Sequence, residues 1–600
     1  MITAIRNAWI VTQDAQRRVL KGDVVIDGER IVSVGPSYDG TADREIDAAG
    51  DIVMPGMVNT HTHIAMSVMK GVVDDLLFPD FLDKTFRIDS DRTDRDLDIG
   101  TRLGCMEMMR GGTTTFMDLY YSEDVIAKAT MDSGIRGVLC WCVLDDDKTT
   151  QKGSPLINCR RFIDTHRDKR KIVPGVGLQG VYVCSEDTCV AAKALSDEKG
   201  APMNLHLSET RGEVNEHKRQ TGMRPAEWLA SIGALGPRSV AAHSAWLTLR
   251  EVRLMGEAGM SVSSCPASNM KLATGGVAPV PEFQKYGVNI SIGTDGSTTN
   301  NTLDMFAEMR LLGLLQKSSR WDATVAPAQD LLDFATINGA RAVGMGDSIG
   351  SIEPGKYADI VILDGKAPNL RPLLKENIIA NIVYSGNSLN VKTVLCQGDV
   401  VVEDGAVRTM DVPSVLDASE DMWCSLCLRR CQTQGASLPF YPFCRSFGLR
   451  IGRLISFVVA AVLPFDHGYD RDESQCEDDQ IVPPRSRNGV GHEEDDSEVY
   501  QDDDQVRVDL QEVEEAFVLL RWIGVGSLQI RDVLRSADDD LIEKLHVVDQ
   551  VVRRNGQHEE VNHEHGDDPY VLVHSEGVEQ PIGYYRDQEV EQDLDRCDDY

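Results

Sequence analysis

Residues 52–63 read IVMPGMVNTHTH, an apolar run closed by two histidines one residue apart. A short run of this composition predicts a strand, and because strand side chains alternate faces, His61 and His63 point the same way. Seven further runs follow: Thr113–Leu119, Gly137–Val143, Ile172–Gly180, Met203–Glu209, Ser239–Trp246, Ser261–Cys265 and Asn289–Asp295. Each is trailed by enough residues for a helix. Counting Ile52–His63 as the first, eight β-α units predict a closed (β/α)8 TIM barrel over residues 52–349. Barrel active sites lie at the C-terminal ends of the strands, so the residues that close these runs are the place to look for chemistry.

The flanks read differently. Ala4–Val11, Val19–Ile26 and Arg30–Val34 before the barrel, and Ala358–Leu363, Asn381–Tyr384, Val391–Cys396 and Asp399–Val402 after it, alternate apolar and polar residues between Gly, Asp and Asn turns. These are antiparallel strands and hairpins. They predict one small β-sandwich assembled from residues 1–51 and 350–410, with the barrel inserted in it.

Beyond residue 420 the pattern stops. The net charge of −35 divides into −12 for residues 1–420 and −23 for residues 421–600, where Lys544 is the only lysine against 16 arginines. Residues 421–600 therefore read as an acidic extension, either a disordered tail or a translated stretch that is no native protein. Within it only Val506–Ile523 and Asp532–Val552 have an amphipathic helical pattern. Cys424, Cys427 and Cys431 have half the spacing of a zinc site and no second pair, so no structural zinc is assigned there.

At 42% hydrophobic and 26% charged residues the composition is that of a soluble globular protein. The acidic balance argues against nucleic acid and against anionic membrane surfaces as partners, since both need basic surface. The opening MITAIRNAWIV lacks the features of a secretory signal, and the longest apolar stretch, Leu454–Leu463, falls far short of the roughly 20 residues that cross a bilayer. Eight cysteines scattered through residues 1–420 without framework spacing suit reduced thiols and predict a cytoplasmic protein.

Other strand ends add to the paired histidines. His206 stands in PMNLHLSET, His243 in SVAAHSAW and Asp295 in NISIGTDGS. Of six histidines before residue 421, four fall at strand ends, whereas His166 and His217 lie in polar, helix-like surroundings and read as surface residues. Two imidazoles alone are more often surface groups than a site. Imidazoles and a carboxylate converging on one mouth, with a position left for water, suit a borderline divalent ion.

PGMVNTHTH, HLSET, AHSAW, SSCPASNMKL, IGTDGS and PGKYADIVILD together resemble the amidohydrolase superfamily over residues 1–410. Within it the chain is most similar to the adenosine-type deaminases acting on S-adenosylhomocysteine, 5'-methylthioadenosine and 5'-deoxyadenosine. The resemblance implies a divalent ion, Zn2+ with Fe2+ or Mn2+ as alternatives, bound by His61, His63, His206 and Asp295. It further implies that Glu209 contacts and protonates the purine, that His243 orients the attacking water, and that Asp295 takes that water's proton. The fourth strand, KIVPGVGLQG, carries no lysine to bridge a second ion, so one ion is expected. Gln179 in LQGVYVCSED stands near where many relatives have histidine, and Asp89 falls near a glutamate that relatives use on the ribose hydroxyls. The implied reaction is hydrolytic deamination of a 5'-modified adenosine to the matching inosine, by a homo-oligomer. Competing readings are a superfamily deaminase or dechlorinase acting on guanine, cytosine or a triazine, and a catalytically silent binding protein. For single residues the competing readings are a helix-start carboxylate for Glu209 and a solvated acid beside Asp91, Asp94 and Asp96 for Asp89.

Overall fold

In the computed structural model, which describes residues 1–149 and 151–434, eight strands pair in chain order, each with the next. They are Met57–Thr62, Thr113–Tyr120, Arg136–Val143, Ile172–Leu178, Met203–Leu207, Ser239–His243, Ser261–Ser264 and Asn289–Ile292, with helices between them. All the pairings are parallel. First and last strands meet where the Asp295 N–H donates to the His61 carbonyl at 3.0 Å and the Thr60 hydroxyl donates to the Ile292 carbonyl at 3.0 Å. The interior is partly polar, and the Thr60 hydroxyl lies 2.7 Å from that of Ser263 and 2.8 Å from that of Ser291. Gly293 is required at this seam, because a Cβ there would come within 2.8 Å of the His61 Cβ.

The remaining strands form one nine-stranded mixed sheet drawn from both ends of the barrel segment. Ile2–Val11 pairs antiparallel with Val19–Asp27 and parallel with Ile52–Pro55, which in turn pairs antiparallel with Ile360–Leu363. Ile5, Ile10, Val24, Ile26 and Ile31 share one buried cluster with Val53, Ile360, Ile362 and Leu395, so the sheet curls over its own core. Arg136, at the first residue of the third barrel strand, joins the two parts through a buried ion pair with Asp359 and a 3.0 Å bond to the Gln397 amide oxygen. Removing one partner of such a pair typically costs about 3–5 kcal/mol.

Two expectations about strands are corrected, and one strand is added. Residues 52–63 form two strands in different sheets, Ile52–Pro55 and Met57–Thr62, broken at Gly56, where a Cβ would run into the Thr114 side chain. Asn381–Ser385 is a turn of π-helix rather than a strand. There Ile382 and Val383 are buried consecutively instead of alternately, and the Asn381 amide donates to the Leu370 and Pro372 carbonyls. Arg44–Asp47 is an additional strand, paired parallel with Ile2–Val11; its half-exposed sequence REID has one apolar residue and hence little pattern.

A helix, Val412–Gln434, runs through residue 421, so the change in composition does not fall at an element boundary. It packs on helix Asp94–Arg110 and buries Val415 and Met422. No helix among the described residues is long and apolar enough to cross a membrane. Leu454–Leu463, Val506–Ile523 and Asp532–Val552 lie outside the described residues, as do the side chains of Cys424, Cys427 and Cys431. A chain ending at Gln434 is expected to turn over substrate with kcat within a fewfold of full length, because every candidate site residue is retained. A chain ending at Asp411 should melt earlier, since two core side chains go with the helix. A folded, metal-retaining but inactive chain ending at Gln434 would place part of the site beyond it.

Candidate active site

At the C-terminal mouth of the barrel the ring nitrogens of His61, His63 and His206 approach one another within 4.8 Å, as do donor atoms of His61, His243 and Asp295. Asp295 Oδ1 lies 3.3 Å from His63 Nε2 and 3.6 Å from His61 Nε2, and His63 Nε2 lies 3.3 Å from His206 Nε2. The edges of a tetrahedron with metal bonds of about 2.0–2.1 Å are about 3.3–3.4 Å long. The His63–Asp295 and His63–His206 separations match that edge, and His61–Asp295 is slightly longer.

Each imidazole is aimed by its other nitrogen. His63 Nδ1 lies 2.7 Å from the Leu119 carbonyl and His206 Nδ1 2.6 Å from the Gln179 carbonyl, both pure acceptors, so Nδ1 carries the proton and Nε2 offers its lone pair to the centre. His61 Nδ1 lies 2.8 Å from Asn204 Oδ1, and the same amide donates through Nδ2 to the Thr60 carbonyl. With Nδ1 satisfied, the buried His61 Nε2 has no hydrogen-bond partner. An orphaned nitrogen at 0% exposure, beside a second imidazole and a carboxylate, is what a divalent cation satisfies. The donor set fits one ion of that kind.

Electrostatics agree. Burial, reinforced by the neighbouring imidazoles, holds His63 down to about 4 and His206 well below its ordinary value, so both rings are neutral and free to ligate. Burial opposes ionisation of Asp295, yet the closeness of the His61 ring and the charges of His243 and His63 keep it well below the usual carboxylate range. Its Oδ2 is held by the Ser268 hydroxyl at 2.6 Å and the Thr299 hydroxyl at 3.0 Å.

Glu209 and His243 face each other across the site, Oε2 to Nε2 at 3.8 Å. Burial lifts the Glu209 carboxyl to about 7 against the opposing pull of His243. Burial likewise lowers His243, but the carboxylates of Glu209 and Asp295 outweigh it and the net direction is up. The helix-start task falls to a different residue. Thr210 caps helix Arg211–Thr221, and Glu213 in its first turn accepts the N–H groups of Ser208 and Glu209 at 3.1 and 2.8 Å. The Glu209 side chain is thereby left for the cavity. Ser208, His243, Ser244 and Asp295 all adopt left-handed backbone at φ 49°, 65°, 49° and 62°. Such residues cost about 1–3 kcal/mol each, and their concentration at the ends of the fifth, sixth and eighth barrel strands marks the place where geometry outweighs stability.

Asp89, on helix Phe78–Ser90, is buried and close to the mouth. Its Oδ1 accepts Arg92 Nη1 at 3.1 Å and the Tyr120 hydroxyl, and the Tyr120 ring lies 6.2 Å from that of His63. Asp89 is thus part of a buried network and not a solvated acid. Gln179 contributes its carbonyl to His206, while its side chain is engaged with Cys142 at 3.1 Å and the Tyr182 hydroxyl at 3.0 Å. His217 and His166 are not surface residues. His217 is buried edge-on against Trp228, and His166 is half-buried against Phe162. Neither belongs to the site. Sequence reading singles out none of Asn204, Ser268, Asn269 and Thr299, although PMNLHLSET contains the first and SSCPASNMKL the next two.

An eight-stranded parallel barrel with histidine and aspartate donors at its strand ends has the architecture of a metal-dependent hydrolase. The sequence profile of the amidohydrolase family matches residues 52–401. The chain belongs to that family. It is 40% identical over 407 residues to a 5'-deoxyadenosine deaminase of Methanothermobacter thermautotrophicus, covering 67% of this chain and 94% of that protein. It is 37% identical over 408 residues to a 5-methylthioadenosine/S-adenosylhomocysteine deaminase of Thermococcus onnurineus, covering 67% and 95%. Among solved structures, a zinc-bound adenosine deaminase from Xanthomonas campestris superposes with a TM-score of 0.69 at 32% identity, over 71% of this chain and 98% of that one. An atrazine chlorohydrolase from Arthrobacter aurescens, at 22% identity and a TM-score of 0.65, shares the fold.

Proposed function

We propose that the chain deaminates 5'-modified adenosines such as 5'-deoxyadenosine, 5'-methylthioadenosine and S-adenosylhomocysteine, yielding the matching inosine and ammonia. The observation that carries this reading is a buried carboxyl, Glu209, that faces His243 at 3.8 Å beside the converging histidine and aspartate donors, where burial lifts it to about 7. In the reading, His61, His63, His206 and Asp295 hold one zinc ion. That ion, when bound, supplies the acidity that makes water a hydroxide-like nucleophile near neutral pH.

Everything else is done by side chains. Water adds to C6 of the purine, breaking the C6–N1 double bond, and the electron pair moves to N1. Glu209 delivers its proton there, so the ring never carries a full negative charge. Asp295 Oδ1 and His243 Nε2 flank the water; the carboxylate accepts its proton and the imidazole orients it. The proton then passes to the exocyclic amine, the C6–O double bond forms as the C6–N bond breaks with ammonia as the leaving group, and the proton shed by the C6 hydroxyl restores Glu209. Removing any one of these transfers leaves charge uncompensated in a buried site.

The deciding experiment is an ammonia-release assay across adenosine, 5'-deoxyadenosine, 5'-methylthioadenosine and S-adenosylhomocysteine, with guanine, cytosine and an aminotriazine alongside. Turnover confined to the last three would sink the adenosine reading. Asp89, whose Oδ1 accepts from Arg92 and Tyr120, is in this reading the acceptor for a ribose hydroxyl through its other oxygen. Asp89→Ala should therefore raise KM for ribonucleosides more than for their 2'-deoxy analogues. Equal effects on both series would dismiss the ribose contact.

A further inference from the structure

The loop that follows the seventh barrel strand enters the short helix Pro266–Lys271, and two adjacent side chains at its start reach two different groups of the site. The Ser268 hydroxyl donates to Asp295 Oδ2 at 2.6 Å. Asn269 Oδ1 lies 2.9 Å from His243 Nδ1. Ser268 and Asn269 are both buried. The loop is in turn tied to the one bearing Asp295. Buried Glu308 accepts the Ala267 N–H at 3.3 Å and the Asn300 amide at 2.8 Å, and that amide also donates to the Thr294 carbonyl at 2.8 Å.

Each contact leaves one atom free toward the cavity. Asp295 has two oxygens. Oδ2 is occupied by the hydroxyls of Ser268 and Thr299, so Oδ1 alone, supported by the Gly296 N–H at 2.7 Å, faces the histidines. His243 has two nitrogens. With an amide oxygen against Nδ1, the ring carries its proton there, and the buried Nε2, which has no hydrogen-bond partner, becomes an acceptor aimed into the site. The same polarity holds at His63 and His206, where backbone carbonyls enforce it.

We infer that Ser268 and Asn269 are a paired positioning device: Ser268 restricts Asp295 to a single inward oxygen, and Asn269 sets the tautomer of His243 so that its Nε2 lone pair meets the attacking water. The inference rests on the proposed roles of His243 and Asp295. Because the two residues are consecutive on one short helix, the carboxylate and the imidazole are aligned by one rigid element. Neither Ser268 nor Asn269 touches substrate in this scheme.

The test uses the full chain labelled with 15N-histidine, with the His243 signals assigned by their loss in His243→Gln. Wild type, observed at a pH high enough for His243 to be neutral, since its carboxylate neighbours raise it, should show the single Nδ1–H tautomer. Asn269→Leu, which removes the acceptor while keeping the shape, should show mixed or reversed tautomers, a kcat lower by about 10–100-fold, a KM within a fewfold and unchanged metal content. Should that variant not fold, Asn269→Asp serves instead: it keeps an acceptor and must retain the Nδ1–H tautomer. Ser268→Ala should leave the His243 tautomer alone and lose metal to a chelator about 10–100-fold faster. An unchanged tautomer in Asn269→Leu, a reversed one in Asn269→Asp, or unchanged metal retention in Ser268→Ala overturns the inference. If wild type releases no ammonia from any nucleoside, the proposed substrate fails, while the tautomer and metal-retention results still decide this point.

Discussion

Glu209→Gln is expected to keep its metal and lose about 10²–10⁴-fold or more in kcat, the range assigned to general acid-base groups. The amide has nearly the shape of the carboxyl and donates a hydrogen bond, but it cannot release a proton to N1. Glu209 contributes none of the donor atoms that converge from His61, His63, His206 and Asp295, so metal content measured by elemental analysis should equal that of wild type. The pH dependence has a definite sign. The acid must be protonated to act, and burial places its midpoint at about 7, so kcat/KM should fall as pH rises through that region. A bound dication favours the carboxylate and moves the descending limb down rather than up. In Glu209→Gln that limb should vanish from whatever activity remains. Near-normal turnover in this variant would remove Glu209 from the mechanism.

His206→Ala is expected to abolish both ion retention and measurable turnover. His206 Nε2 stands 3.3 Å from His63 Nε2, and removing one of four donors leaves an incomplete set in a site where water replaces it poorly. The cause is separable from misfolding, because outside the donor cluster the His206 ring bonds to the Gln179 carbonyl and a thermal melt reports directly whether the barrel survives. Wild type should hold about one ion per chain. Two tightly held ions, or full metal and activity in His206→Ala, would break the single-ion scheme.

Much of the barrel and its mouth was legible in the sequence, for local reasons. Strand side chains repeat every two residues, so the positions of His61 and His63 on one face follow from spacing alone. A barrel puts function at strand ends, so His206 and His243, which close or nearly close their strands, were readable too. Asp295 was less so: its strand stops at Ile292, and the left-handed turn that swings the carboxylate inward has no apolar pattern. The first strand reads as continuous because IVMPGMV is apolar throughout, and only the approach of Thr114 shows why the chain must change sheets at Gly56.

What the sequence by itself determined about this protein is therefore what depends on short-range periodicity and residue chemistry: the alternation of strands and helices, the insertion of the barrel, and the donors at its strand ends. The tertiary structure alone decided which atoms those donors present. His61 is aimed by Asn204, 143 residues away, His63 by a carbonyl 56 residues away and His243 by Asn269, 26 residues away. It also decided that Glu213, rather than Glu209, serves the helix start, and that Asp89 is buried against Arg92 and Tyr120. Most of these contacts join residues far apart in the chain, and even the local ones turn on which way a side chain faces, so no periodicity records them. They exist only once closure of the barrel has brought the loop ends together and burial has forced each polar atom to find a partner.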